Sequence, residues 1–158
     1  MNGRGRRVLI AGVCAMAGIV SLAAQSSAAP RAPGSGTFAV TSSKLTTVNV
    51  GPVKLYEIRQ VVKWTGPISG TAQEFLWETV TPSGTAWAGV DVCACVAKNG
   101  GKGTVTIRLS QGTDNGKTYH GAYTVTAGTG ALSGFSGHGT LSGSDAKQRG
   151  TYTGAFTG

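Results

Sequence analysis

The sequence predicts an all-β fold: an eight-stranded antiparallel up-and-down β-barrel, with no significant helix in the mature chain. Stretches in which apolar and polar residues alternate, as in half-buried strands, recur along the chain. Short turn signals separate them, such as Gly66-Pro67 and Asp114-Asn115-Gly116. Eight strands joined in this way can close into a barrel, which removes exposed sheet edges. A β-sandwich is the alternative architecture.

The predicted strands follow one another as a meander. They cover residues 37–42, 53–65, 68–81, 85–97, 103–110, 117–127, 132–141 and 149–157. The seventh lies in the glycine-rich stretch 128–141, where each glycine would cost a helix roughly 1 kcal/mol relative to alanine. Strands accept glycine where they bend sharply or where another backbone lies close. This stretch is therefore predicted to be a turn followed by a strongly coiled strand.

Residues 1–28 have the pattern of a secretory signal peptide. Three arginines precede an apolar run, and small residues lead to a predicted cleavage site after Ala28. The run is shorter than the roughly 20 residues that span a membrane, so no stable membrane insertion is expected after processing. The protein is expected to be secreted and extracellular. Residues 29–36 are predicted to be a flexible N-terminal tail, and residues 37–158 a single β-barrel domain.

Charge argues against a nucleic-acid partner. Loss of the signal would leave eleven basic and six acidic residues, a net charge of +5. The basic residues are scattered and form neither the patch nor the stripe that nucleic-acid-binding proteins normally show. A basic, solvated surface that keeps a secreted protein soluble is the favoured interpretation. The sequence leaves the oligomeric state open.

Signatures of catalysis are sparse. There is no nucleophile elbow, no metal-ligand spacing and no phosphate loop that opens a helix. The two histidines, His120 and His138, are far apart, and the glycines at 100, 101 and 103 are interpreted as a hairpin loop. No cofactor and no metal are expected, and the balance is against an enzyme.

The second predicted strand suggests a ligand site. Tyr56, Ile58, Val62 and Trp64 share one face, and the opposite face carries charges that would be costly to bury unpaired. The aromatic face is therefore expected to point inward. Trp64 is expected near the Gly66-Pro67 turn, bordering the mouth of the barrel. The candidate ligand-binding residues are Val62 and Trp64, together with Glu74 of the third predicted strand.

Glu74, on the third predicted strand, is the one carboxylate that could matter to a cavity. Neither face of that strand is cleanly apolar, so periodicity does not say which points inward. The favoured interpretation places Phe75 and Trp77 inside and Glu74 in solvent. In the alternative, Glu74 lies within an apolar barrel, where burial would raise its pKa.

Cys93 and Cys95 are the only cysteines that remain after processing, in a compartment where disulfides persist. Two strand rises separate their Cα atoms by about 6.6 Å, near the upper limit of about 6.8 Å for a disulfide. A local disulfide is predicted, slightly favoured over two free thiols. Because Asp91 shares their face, that face is expected near solvent, and Val90, Val92, Ala94 and Val96 are expected in the core.

Three blocks of the chain resemble a known family. They are Gly36-Thr37-Phe38-Ala39-Val40-Thr41, residues 62–72 and the glycine block 128–139. In this order and spacing they resemble the actinobacterial DUF3224 family of unknown function. The resemblance implies an eight-stranded barrel similar to allene oxide cyclase and, more distantly, to dirigent proteins. It implies no established activity. The signal peptide and the Cys93-Ala94-Cys95 pair depart from many relatives.

Three functions remain open at this point. The favoured one is a secreted, non-catalytic module that binds a small apolar ligand, as barrels of this size can. The second is an isomerase or cyclase of the allene oxide cyclase type acting in the same cavity. The third is a plugged barrel that acts through its surface, as an inhibitor or a wall-associated protein. An open apolar cavity with a buried carboxylate would favour the enzyme, and a barrel filled by its own aromatic side chains would favour the surface function.

Overall fold

A computed structural model of the protein describes residues 30–158. Eight antiparallel strands form a closed barrel in which each strand pairs with its neighbours in sequence and β1 closes the ring against β8. The strands are β1 (Ala32–Val50), β2 (Val53–Thr65), β3 (Ile68–Thr81), β4 (Gly84–Ala97), β5 (Lys102–Asp114), β6 (Thr118–Gly128), β7 (Ser136–Ser144) and β8 (Arg149–Thr157). The predicted fold class is confirmed. The predicted signal peptide and its cleavage site lie outside the described residues.

Strand β1 is much longer than the six residues predicted from the sequence. Its first part, Ala32 to Ala39, pairs with β8, although residues 32–36 were expected to belong to a flexible tail. Beyond Val40 it pairs with β2 alone, so the β1–β2 hairpin extends past the rim formed by β6, β7 and β8. The sequence did not predict this extension, because a hairpin that projects into solvent needs no buried face and can contain polar residues such as Thr46 and Asn49.

The glycine-rich stretch also differs from the expectation. Residues Gly130–Leu132 form a single 3-10 turn, and β7 begins only at Ser136. Gly130 has a φ of +59°, which glycine adopts without strain. The Thr129 amide donates a hydrogen bond to the Thr104 carbonyl, and the Leu132 amide donates to Thr129. Leu132 is thereby directed into the barrel, where it is buried.

The two ends of the barrel differ. At one end, the closed end, lie the turns at 66–67 and 98–101, the connection 129–135 and the end of β8. At the other, the open end, lie the turns at 51–52, 82–83, 115–117 and 145–148. Aromatic side chains fill the closed half: Tyr152 packs edge-on against Trp64 and Tyr123, and Phe156 stacks on Tyr123 and Phe135.

Candidate functional site

A cavity of about 260 Å³ occupies the open half of the barrel. This volume lies just below the roughly 300–1,000 Å³ typical of small-molecule sites. Its walls are mainly aliphatic and aromatic. The aliphatic lining includes Val40, Ile58, Val62, Leu76, Leu109 and Leu141, and the aromatic lining is Phe38, Trp64, Trp87 and Tyr119.

All three predicted ligand-binding residues line this cavity: Val62, Trp64 and Glu74. The predicted inward face of β2 is confirmed at Ile58, Val62 and Trp64, which point into the barrel, whereas Tyr56 does not line the cavity. The expected position of Trp64 at the mouth is wrong. Its side chain is 2% exposed and packs against Phe38 and Tyr152, with ring centroids 5.5 Å and 4.9 Å away. The turn beside Trp64 belongs to the closed end, so Trp64 is the floor of the cavity.

Glu74 is inside the barrel. Glu74 is 8% exposed, whereas Trp77 on the opposite face of β3 is 57% exposed. The favoured interpretation from the sequence, a solvated Glu74 with Phe75 and Trp77 in the core, is therefore wrong. Neighbouring strands supply the partners that make burial tolerable. Gln60, which pairs with Glu74 across the β2–β3 ladder, donates a hydrogen bond from Nε2 to Glu74 Oε1 at 2.6 Å.

Asp91 pairs with Glu74 across the β3–β4 ladder and is completely buried. Trp64 Nε1–H donates to Asp91 Oδ2 at 2.9 Å, and Glu74 is the neighbour of Asp91 across the ladder. No ordinary donor reaches Asp91 Oδ1. Two carboxyl groups can hydrogen-bond to each other only if one of them carries a proton. Gln60, Glu74, Asp91 and Trp64 therefore form a polar group of two hydrogen-bonded pairs that meet across the β3–β4 ladder at the inner end of the cavity.

The environment assigns the proton to Asp91. Burial raises the pKa of Asp91 well above its ordinary value, and the charge of Glu74 and the hydrogen bond with it raise it further, although the Trp64 hydrogen bond opposes the rise. Burial also raises the pKa of Glu74, but the hydrogen bonds from Asp91 and Gln60 counteract that effect. Asp91 is therefore the carboxyl group of this pair that retains a proton to the higher pH, and in its neutral form it can donate a hydrogen bond to Glu74.

Three further carboxylates line the mouth of the cavity: Glu78 of β3, Asp114 at the end of β5, and Asp145 in the β7–β8 turn. Burial raises the pKa of Glu78, and the charges of Asp114 and Asp145 raise it further. Partial burial raises the pKa of Asp145, with its proximity to Asp114 adding to the effect. Strands β3 and β5 and the β7–β8 turn therefore place these three carboxyl groups close to one another.

The expected orientation of β4 is wrong. Asp91, Cys93 and Cys95 face the core, where Cys93 and Cys95 are buried, and Val92 on the outer face is 41% exposed. The ladder with β5 sets this face, because Asp91 and Cys93 pair with the buried Ile107 and Val105. Cys93 and Cys95 are joined in a disulfide with Cα atoms 5.3 Å apart. A disulfide is apolar enough to belong to the core, and Asp91 is tolerated there because burial favours its neutral form and Trp64 donates a hydrogen bond to it.

Sequence reasoning missed Asp91, Gln60 and the mouth carboxylates as parts of the site. A charged residue that shares a face with two cysteines favours a solvent-facing orientation when β4 is considered alone, although Asp91 is buried with them. The signal that could have found it is the ladder itself, since Asp91 is placed opposite Glu74.

Within residues 30–158 no cluster of His, Cys, Asp and Glu has the arrangement of a metal site. No helix in that range is long and apolar enough to cross a membrane.

Comparison with known proteins identifies a structural neighbour. A scan against protein-family models gave no match, and no curated protein matches the sequence. Among solved structures, the chain is similar to a DUF3224-family protein of unknown function from Shewanella oneidensis MR-1. The TM-score is 0.61 at 20% sequence identity, over 80% of this chain and 96% of the other. The chain therefore shares the fold of a DUF3224 protein.

Proposed function

We propose that the protein is a secreted member of the DUF3224 group that binds a small, largely apolar ligand in the open half of its barrel. The observation that carries this proposal is the cavity of about 260 Å³, walled by aliphatic and aromatic side chains around a few polar groups. This composition is typical of small-molecule sites. Aromatic side chains pack against one another in the closed half, below Trp64, whereas the cavity lies in the open half, above Trp64.

Secretion is part of the proposal and rests on the signal-like residues 1–28, with processing after Ala28. The ordered glycine blocks and the shared fold support membership of the group. The purely surface-acting barrel is the weakest of the three functions, because aromatic side chains plug only one half of the interior.

A neutral fluorophore, N-phenyl-1-naphthylamine, tests the binding function. The purified protein should enhance and blue-shift its emission in a saturable manner. Ile58→Trp places a large ring in the cavity and should abolish binding. The matched control, Val92→Trp, adds the same ring on the exposed face of β4 and should leave binding unchanged. Equal binding by both variants, or no binding to the unmodified protein, would contradict the proposal.

The second candidate is an isomerase or cyclase of the allene oxide cyclase type. The specific observation in its favour is the cross-strand carboxyl pair Glu74–Asp91, which lies at the inner end of an apolar cavity and has both pKa values raised by burial. Such a pair could give and recover a proton while water is excluded. The experiment is to supply an allene oxide and assay for a cyclised product. Glu74→Gln should lose that product while still binding the fluorophore, and absence of product from the unmodified protein would reject this candidate.

A further inference from the structure

The acidic residues of this protein are concentrated at one place. The sequence contains six Asp and Glu residues in all. Four of them line the cavity, Glu74, Glu78, Asp114 and Asp145, and Asp91 lies directly behind Glu74. Eleven Lys and Arg residues lie in the part of the chain that the structure describes, yet none lines the cavity. A strongly basic protein therefore places five of its six acids around a single apolar space.

These five acids have no cationic partner in the described chain. The single ion pair within residues 30–158 joins Arg59 to Glu57, the sixth acid, at the surface. Lys117 and Lys147 lie in the turns beside the mouth, but both are exposed and neither is within 4.0 Å of a carboxylate. Like charges held close together without a counter-charge destabilise one another. A positive group at the mouth would remove that repulsion.

The site is more than an acidic cluster on a surface. Its carboxylates border an apolar cavity and come from β3, the end of β5 and the β7–β8 turn. At the mouth, the buried Oδ2 of Asp145 also accepts no hydrogen bond. Buried acceptors without a donor are rare in folded proteins, and a ligand that donates a hydrogen bond would supply what this oxygen lacks.

We propose that the ligand of this cavity is an apolar molecule bearing an amine, whose ammonium group lies among Glu78, Asp114 and Asp145 while its apolar body reaches toward Val62. The inference rests on the proposed function that the cavity binds a small ligand. Glu78 lies four residues from Glu74 on one strand, roughly 13 Å at about 3.3 Å per residue. The body therefore has the length of a short alkyl chain or an arylalkyl group. An apolar anion such as a fatty acid is excluded by the same charges.

Displacement of N-phenyl-1-naphthylamine by three compounds with one body tests the inference. They are 4-phenylbutylamine, 4-phenylbutanol and 4-phenylbutyrate, which differ only in a cationic, neutral or anionic end. The amine should displace the fluorophore at a concentration at least tenfold lower than the alcohol, and the carboxylate should be weakest. Added salt should reduce the advantage of the amine, because exposed charges at the mouth are screened.

Variants test whether the carboxylates at the mouth cause the preference for the amine. Glu78→Gln should reduce the advantage of the amine several-fold without changing displacement by the alcohol. Glu57→Gln is the matched control, because it removes the same charge from the outer surface, and it should change neither. Asp114→Asn is a second mouth variant whose side-chain oxygen can still accept the hydrogen bond from the Gly116 amide, so it keeps the test valid if Glu78→Gln fails to fold.

The outcomes separate the two proposals. If the fluorophore binds but the amine and the alcohol displace it equally, or the carboxylate displaces it best, the cationic ligand is rejected and the binding function stands. If the fluorophore does not bind at all, both are rejected. If the preference for the amine persists in both mouth variants, the assignment of the ammonium group to the mouth is overturned.

Discussion

The two halves of the barrel are built from the same strands but in opposite ways. In the closed half, Tyr123, Phe135, Tyr152 and Phe156 pack ring against ring, and the Cys93–Cys95 disulfide lies on the wall. In the open half the interior side chains surround empty space and five carboxyl groups. Trp64 separates the two, because it packs on Tyr152 below and binds Asp91 beside the cavity floor. The aromatic packing and the cavity thus lie at different ends of one sheet.

This separation leads to the largest expected effect, the truncation of an aromatic side chain in the closed half. Phe156→Ala should lower the free energy of unfolding by about 3–5 kcal/mol, as for other large-to-small core substitutions. Ile58→Ala in the open half should cost only about 1 kcal/mol, because that side chain is half-buried and already borders the cavity. Urea unfolding of both variants measures the difference. Equal costs would mean that the two halves contribute alike.

The next effect is the dependence of stability on pH. A folded carboxyl with a raised pKa retains a proton that the unfolded chain has released. Stability should therefore be greatest at low pH and should fall as pH rises from the ordinary values, 3.8 for Asp and 4.5 for Glu, through the raised values of Asp91 and Glu74. Asp91→Asn keeps a donor toward Glu74 and an acceptor for Trp64 without titrating, so it should reduce this decline and be more stable than the unmodified protein at neutral pH.

Urea midpoints measured from about pH 4 to about pH 8 check the sign of this dependence. Glu78 and Asp145, whose pKa values are also raised, should leave a smaller residual slope in Asp91→Asn. Glu57→Gln, which removes a carboxylate at the surface away from the cavity, serves as a comparison and should leave the slope unchanged. A stability that increases with pH in the unmodified protein would contradict the raised pKa of Asp91.

A smaller effect is expected from the disulfide. It closes a loop of only a few residues, so reduction should lower stability by less than roughly 2 kcal/mol. Tryptic digestion without reduction should release the peptide 64–98 lighter by two hydrogens than its reduced form. Recovery of that peptide with two alkylated thiols, from protein never exposed to reductant, would show that Cys93 and Cys95 are free.

The smallest effect concerns one hydroxyl in the closed half. Tyr152 donates a hydrogen bond to the Thr65 carbonyl at 3.0 Å, and burial raises the pKa of Tyr152 to about 12. Tyr152→Phe should lower stability by about 1 kcal/mol, the net value of a typical hydrogen bond, and should leave fluorophore binding unchanged. A loss of binding in this variant would show that the closed half controls the cavity.

The period of two in β2 was sufficient to predict that Ile58, Val62 and Trp64 face the barrel interior. The other face carries charges such as that of Lys63, which cannot be buried unpaired, so only one orientation of the strand is possible. The same rule failed for β3 and β4. There Glu74 and Asp91 find their hydrogen-bond partners, Gln60 and Trp64, on neighbouring strands, so each carboxyl group looks exposed when its strand is read alone. The sequence did not predict the position of the cavity either. A cavity forms where inward-facing side chains from opposite walls are too short to contact one another, and this depends on the three-dimensional arrangement of all the strands.

The strand order of the barrel has a consequence for how the chain folds. Seven of its eight strand pairings join consecutive strands, and only β1 with β8 brings together residues as distant as Ala32 and Phe156. Local hairpins close cheaply, whereas a contact between chain ends must overcome the entropy of the whole intervening loop. We therefore expect the hairpins to form early and ring closure to come last. Substitutions along this seam, such as at Thr153 of β8, should then accelerate unfolding while hardly changing the rate of folding.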